Sequence, residues 1–356
     1  MVLKIVLLLN LSVVTGIPNN TWHNLLLGMS IFQGLEAYQN SFLSPRFLHH
    51  SLGSTTTNPF IERDFPGIKH RWVNLQMWDQ LDSDACHIFS TIDLLSATLE
   101  QEGYQGSLSP ESLFLQHYFA TGALKKNIDY ILSFASTKNQ EPLKTHFGEC
   151  GSIEDNFALL QKHGNTPTIS NYLPFNEICS LLRKVRFMRH KMIQYIKSGG
   201  QLDPSEVMDL LNESGFKKLQ EACSHISHLK KDEECSKLLK KIKLQNKTLT
   251  GDLAQRKKFL LQQLEEKPLG ASVLAYDKLL KFPNNNVPLV EKALAHSVII
   301  VGYHTGLDTF LIKNSWGTPS LDMVPTACLL PNILEIQYFS LLTAEDRIFE
   351  EYKNFF

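Results

Sequence analysis

The sequence predicts an α+β fold in which helices come first and paired strands last. Three observations carry this. Capped, helix-patterned segments recur along the chain to about residue 265. Two β-rich runs, "HSVIIVGYH" and "TFLIKNSW", follow, joined by a short turn. With 43% hydrophobic residues in 356, the chain can bury a large core, in one elaborated domain or two.

The chain opens "MVLKIVLLLNLSVVTGIPNN". Lys4 gives a positive start, Ile5 to Val14 form an apolar run broken by Asn10, and Val14 and Gly16 suit the small positions before a cleavage site. Residues 1–16 therefore read as a signal peptide, which implies a secreted or periplasmic protein; the plainer alternative is a buried first strand or helix. The run is too short to span a bilayer, and no other segment approaches the roughly 18 apolar residues of a membrane span. Residues 17–58 combine "WHNLLLGMSIF" with the linker "SLGSTTTNPF". They read equally well as a short pro-segment and hinge or as an N-terminal helix packed on the core.

Residues 59–182 begin the folded body. "CHIFSTIDLLSATLEQEG" places Ile88, Phe89, Ile92, Leu94, Leu95 and Leu99 near a 3.6-residue period, which predicts a helix starting at Cys86 and stopping at Gly103. Ser109 caps the next helix, with Pro110 at its first position and Glu111 in its first turn. Ser152 caps another, and Gly164 stops it. Residues 183–248 are helix-patterned and carry more basic than acidic residues; they read as a helical insertion. Its basic faces are either solvated or turned to an acidic partner. Cys223 and Cys235 flank "SHISHLKKDEE", the bend of a helical hairpin that a disulfide between them would staple. From residue 249 the pattern is mixed to the end at 356: a helix in "GDLAQRKKFLLQQLEEKP", a strand opening "LGASVLAYDKLLKF", then the hairpin, whose turn His304–Asp308 draws its freedom from Gly306.

Bulk charge excludes one class of function. The net charge is −1, so no basic field argues for nucleic acid. The six cysteines include no CxxC pair, and His225 and His228 have no acidic or thiol ligands beside them, so no metal site is expected. The chemistry concentrates elsewhere. Cys86 opens a helix, where unpaired N–H groups and the helix dipole favour a thiolate, although Asp82 and Asp84 oppose it. Across the hairpin, His296 and Asn314 lie 18 residues apart and fall near each other, so the carboxamide oxygen can orient the imidazole and leave its other nitrogen for a thiol. A neighbouring imidazolium would lower the thiol pKa and allow an ion pair at neutral pH. Trp316 is placed to shield that bond from water. Gln80 lies six residues before Cys86, where its carboxamide, with the Cys86 backbone N–H, can donate to an oxyanion.

Taken together, "Q…C" at a helix start and a later "HSVIIVGY…FLIKNSWGT" resemble the papain-like cysteine peptidases. "LSPESLFLQ", "ECGSIEDNFALLQKHG", "YLPF" and "QQLEEKPLGASV" echo further family segments, so the resemblance spans about 60–185 and 249–318. It implies a two-lobed fold: a helical left lobe (59–182) bearing Cys86 faces a β-rich right lobe (249–356) bearing His296. It implies Cys86 as nucleophile, His296 as general base and acid, Asn314 as its orienter, Gln80 in the oxyanion hole, and Gly151 and Ser152 as backbone that pairs with an extended polypeptide substrate. It implies no cofactor and no metal, and a monomer whose pro-segment blocks the cleft until removed. The family separates His from Cys by about 130–150 residues; here the gap is 210 (296 − 86), and the helical block 183–248 accounts for the excess.

The departures are concentrated at the nucleophile. The family's "CGSCW" is "SDACH", the glycine after the glutamine is Leu81, the second substrate-binding glycine is Ser152, and "PSLDM" follows "NSWGT". Ser83 replaces the usual partner of Cys150, and the resemblance implies a Cys150–Cys179 bridge instead. The divergent segment and the leader resemble a bacterial secreted member more than a plant or animal one. Two rivals follow: a weakly active or inactive papain-fold protein that grips a protein partner through its helical insertion, and a related Cys–His hydrolase acting on cell-wall or isopeptide bonds.

Overall fold

In the computed structural model, which describes residues 68–69, 79–81, 83–122, 126, 128–131, 151–275, 294–315, 321–343 and 346, the helices begin where the sequence places their caps. The signal-peptide and pro-segment readings, Cys150 and Trp316 lie outside the described residues. Helix α1 (Cys86–Gln101) starts at the cysteine and ends before Gly103, whose φ is +86°. Helix α2 (Pro110–Ala120) is capped by Ser109, whose hydroxyl accepts from Ser112 N–H, and α3 (Ile153–His163) is capped likewise by Ser152 from Asp155 N–H. Gly164 closes α3 at φ +76°, a left-handed region that glycine enters without a Cβ clash.

The basic block is helical: α4 (Ile169–Tyr172), α5 (Phe175–Lys197), α6 (Pro204–Glu213), α7 (Phe216–Ile226) and α8 (Glu233–Leu239). The composition boundaries at 183 and 248 do not coincide with element boundaries. Helix α5 runs unbroken through residue 183, and β2 (Ile242–Lys247) joins the main sheet. The block shares one hydrophobic core with α1, α2 and α3. Polar ties reinforce this: Tyr104 OH donates to Asp232 at 2.6 Å, and the Cys223 thiol donates to the Leu115 carbonyl at 3.8 Å. The predicted Cys223–Cys235 staple is absent. Cys223 faces α2, Cys235 is buried near Tyr104, and both are thiols. Burial, helped by Asp232, pushes the Cys235 thiol up to about 12.

The remaining elements are α9 (Leu253–Leu264), β3 (Leu269–Ala275), β4 (Leu294–His304), β5 (Thr309–Lys313), β6 (Leu321–Pro325), α10 (Thr326–Leu329), a 3₁₀ turn (Leu330–Asn332) and β7 (Ile333–Leu341). The strands form an antiparallel sheet in the order β2-β7-β3-β4-β5-β6, with β1 (Ile68–Lys69) beside β4. Side chains alternate between its faces. Ile299, Val301, Leu311 and Phe339 enter the helix-lined core; Val298, Ile300, Phe310 and Ile312 enter a second core closed by α9 and the segment after β6. The mixed helices and antiparallel sheet are the α+β class that the sequence predicts. One detail of the hairpin differs from expectation. The left-handed residue of its turn is Asp308 (φ +50°), not Gly306. The Asp308 carboxylate accepts from Tyr303 OH, Lys257 and Thr326, which fixes the turn, and the Lys257 contact leads in holding it down to about 2.

Candidate active site

The hairpin places its histidine and asparagine through register. Strands β4 and β5 pair His304 with Thr309, Tyr303 with Phe310 and Gly302 with Leu311, then Ile300 with Ile312 and Ile299 with Lys313. Val301 is the extra residue of a β-bulge. Directly paired residues share a face, so one further step sets Asn314 opposite Val298, and His296 becomes its diagonal neighbour on that face. Carried straight from the turn, the ladder would set Asn314 opposite Ile299 and leave His296 on the other face. The bulge is what brings the two side chains together: His296 Nε2 donates to Asn314 Oδ1 at 2.9 Å, with both residues buried. Ser315 N–H donates to the same Oδ1 at 2.8 Å, which fixes the carboxamide's orientation. The proton of a neutral His296 is therefore on Nε2, and Nδ1 is the basic nitrogen.

The same asparagine leads to Gln80. Ser315 Oγ donates to Gln80 Oε1 at 2.6 Å, and Gln80 N–H donates to the Ser315 carbonyl at 2.7 Å. Gln80 Nε2 donates to the Ser83 carbonyl at 2.7 Å, and Ser83 Oγ donates back to the Gln80 carbonyl at 2.6 Å. Cys179 Sγ, from α5, donates to that carbonyl at 3.9 Å. Leu81, which stands where the family resemblance expects glycine, takes a left-handed φ of +53°. Its N–H donates to Asp79 Oδ1 at 2.8 Å, and this bond helps hold a conformation that is costly for a Cβ-bearing residue.

Cys86 begins α1 immediately after this turn. Ala85 occupies the cap position and offers no side-chain oxygen, so the first helical N–H groups are not taken by a local cap. Burial pushes the Cys86 thiol up, and Asp84 adds to this; the backbone N–H groups of Ser297 and His87 and the Ser297 hydroxyl pull it back toward the thiolate. Burial lowers His296 to about 4, against a raising contribution from Asn314. Burial thus favours the neutral imidazole and the neutral thiol, against the ion pair that the sequence suggests at neutral pH.

Two further contacts fix the surroundings. Lys313 Nζ meets Asp93 Oδ1 at 2.6 Å, with side chains only 2% and 8% exposed, so a buried ion pair ties α1 to the residue before Asn314. Gly151 is exposed and precedes the Ser152 cap. A Cβ on Gly151 would lie 2.2 Å from His117 Cε1 and 2.8 Å from His87 Cε1. His87, which sequence reasoning set aside, is buried, 2.8 Å from Asn156 Nδ2 through Nδ1, with its ring centroid 4.7 Å from that of His117. The structure thus joins His296, Asn314 and Gln80 in one bonded network and puts Cys86 at the end of the Gln80 turn. Ser297, Ser315 and Ser83 were missed. Their adjacency to His296, Asn314 and the turn was the available signal. Among the described residues, no group of three acidic, histidine or cysteine side chains could hold a metal.

Residues 191–321 match the model of the papain family cysteine proteases, a segment that contains His296 and Asn314 and excludes Cys86. No curated protein matches the chain in sequence. Among solved structures, it is similar to pepw from Lactobacillus rhamnosis (12% identity, 95% of this chain and 96% of the other, TM-score 0.45). It is also similar to a cysteine protease from Carica candamarcensis (12%, 78% and 100%, 0.42) and to xylellain, a cysteine protease from Xylella fastidiosa (15%, 82% and 91%, 0.41). The family match agrees with the resemblance carried by the hairpin: the segment 191–321 is similar to the papain family.

Proposed function

We propose that the chain is a cysteine-type endopeptidase whose nucleophile is Cys86, whose base and acid is His296, and whose orienting residue is Asn314. The reading rests on the hydrogen bond from His296 Nε2 to Asn314 Oδ1, which reserves Nδ1 for a proton taken from a thiol. As Cys86 Sγ attacks the scissile carbonyl carbon, its proton passes to Nδ1, and the carbonyl electron pair moves onto oxygen. The Cys86 backbone N–H and the second Gln80 Nε2–H, the first being spent on Ser83, receive that oxyanion. Collapse expels the amine, protonated by His296, and leaves a thioester. Water, deprotonated by the same imidazole, then releases the acid. Because both groups rest neutral, proton transfer accompanies attack rather than preceding it.

The substrate is an extended polypeptide running along Gly151 and Ser152; no cofactor takes part, and the working form is a secreted or periplasmic monomer. A fluorogenic peptide library tests the reaction. Hydrolysis by the wild type and a loss of about 10²–10⁴-fold in kcat for His296→Ala are expected. Cleavage of a muropeptide panel alone would replace peptides with cell-wall bonds as the substrate. The second reading, a papain-fold binder that grips a protein partner through residues 183–248, is favoured by one observation: Asp84 and burial both oppose the thiolate. It predicts no hydrolysis of either panel.

A further inference from the structure

We propose that His87 and His117 are positioning residues for the substrate: their two rings support the exposed backbone at Gly151, along which the peptide runs. The inference rests on the reading of Gly151 as substrate-binding backbone and deepens it. Space is the observation that carries it. A Cβ on Gly151 would lie 2.2 Å from His117 Cε1, 2.8 Å from His117 Nε2 and 2.8 Å from His87 Cε1. Non-bonded carbon atoms rest at about 3.5–4.0 Å. Glycine alone lets the chain settle onto the two rings. Gly151 is exposed, whereas both histidines are only 1% exposed, so the backbone passes over a buried pair. His87 directly follows Cys86, so the same contact holds Gly151 beside the start of α1 and the proposed nucleophile.

Three helices fix the rings. His87 is the second residue of α1, His117 lies in the last turn of α2, and Asn156 is on α3; these helices pack on one another. The ring centroids are 4.7 Å apart, with planes tilted by 57°. Thr91 Oγ1 donates to the His87 carbonyl at 2.7 Å, so its oxygen accepts from Asn156 Nδ2 at 3.1 Å. Asn156 Nδ2 also donates to the His87 carbonyl at 3.1 Å, and these two acceptors fix the orientation of the buried carboxamide. Its 2.8 Å contact therefore makes His87 Nδ1 an acceptor and puts that ring's proton on Nε2. On the far side, the Ser152 cap ties the next residue to α3. Backbone held from below by two rings and from one end by a helix cap is preorganised for an extended chain.

The test is steady-state kinetics of the full chain on the best fluorogenic peptide of the library. Gly151→Ala lifts the backbone off the rings, raising KM about tenfold and leaving kcat within about twofold. Adding His117→Ala opens the space beneath the new methyl group and brings KM back to within about threefold of wild type. A histidine that serves folding alone would give no such rescue. Thermal unfolding checks that each variant folds, and His117→Ser is the second route to the same space. A wild type that cleaves peptides while KM stays unmoved in Gly151→Ala overturns the inference and leaves the peptidase standing. So does a folded double variant that keeps the raised KM. A wild type that cleaves no peptide overturns both.

Discussion

The hairpin carrying His296 and Asn314 and the segment from Gln80 to Cys86 meet at one site but hold their shapes by different means. The hairpin depends on pairing between strands: a single bulge at Val301 decides which face His296 takes. The Gln80 segment depends on bonds between near neighbours, Gln80 with Ser83 and Leu81 with Asp79, and then on two hydrogen bonds between Gln80 and Ser315. The proposed base and the proposed nucleophile therefore carry different vulnerabilities. The base can be lost by a register slip, whereas the nucleophile can be lost by a local change of turn. Two buried contacts make them a unit, the Ser315–Gln80 pairing and the Asp93–Lys313 ion pair.

Breaking the charged tie is the most severe way to separate the two regions. Asp93→Asn or Lys313→Met alone strands a buried charge and costs about 3–5 kcal/mol in denaturant unfolding. The double variant Asp93→Leu with Lys313→Met recovers most of that stability. Its peptidase activity then reports whether the tie positions Asn314 or serves folding alone: restored stability with lowered kcat sharpens the positional reading, and full recovery of both removes it.

Acid titration probes the hairpin side. Folded His296 is held down to about 4, whereas an unfolded histidine keeps the ordinary value of 6.5. Between these values the unfolded chain binds a proton that the folded chain refuses, so stability falls as pH drops from 6.5 toward 4 and is flat, for this group, above 6.5. The contribution is on the order of 3 kcal/mol. Urea unfolding across that range checks it, and His296→Gln should lose that part of the slope.

The smallest expected effect is on the turn before Cys86. Leu81→Gly removes a left-handed leucine and should stabilise the fold by about 1 kcal/mol, partly offset by the greater freedom of the unfolded glycine. A destabilised variant would mean that Leu81, which packs against the helix-side core, contributes more by burial than its backbone costs.

How much of this was legible in the sequence divides along the same line. Caps and stops are local chemistry, so Ser109, Ser152, Gly103 and Gly164 could be read directly. The start of α1 at Cys86 was also legible, from periodicity; spacing suggested that His296 and Asn314 lie near each other, but the face they share depends on the bulge. The bulge was not, because an extra residue in a strand leaves hydrophobic alternation on each side intact. Gly306 looked like the flexible residue of the turn, but the carboxylate contacts of Asp308 outweighed glycine's freedom. The neutral resting pair was hidden because desolvation is a property of packing, not of neighbours along the chain. The Cys223–Cys235 staple failed because each cysteine faces a different helix-side neighbour, Leu115 and Tyr104.

The account's central claim is that residues 86, 296 and 314 act as one catalytic unit. An electrophilic epoxide carried on a short peptide tests it most directly, read by intact mass and by mapping of the modified peptide. The account predicts a single adduct on Cys86, formed rapidly in the wild type, slowed strongly in His296→Ala and less so in Asn314→Ala. An adduct distributed over Cys223 and Cys328, or one on Cys86 that forms equally fast without His296, would contradict it.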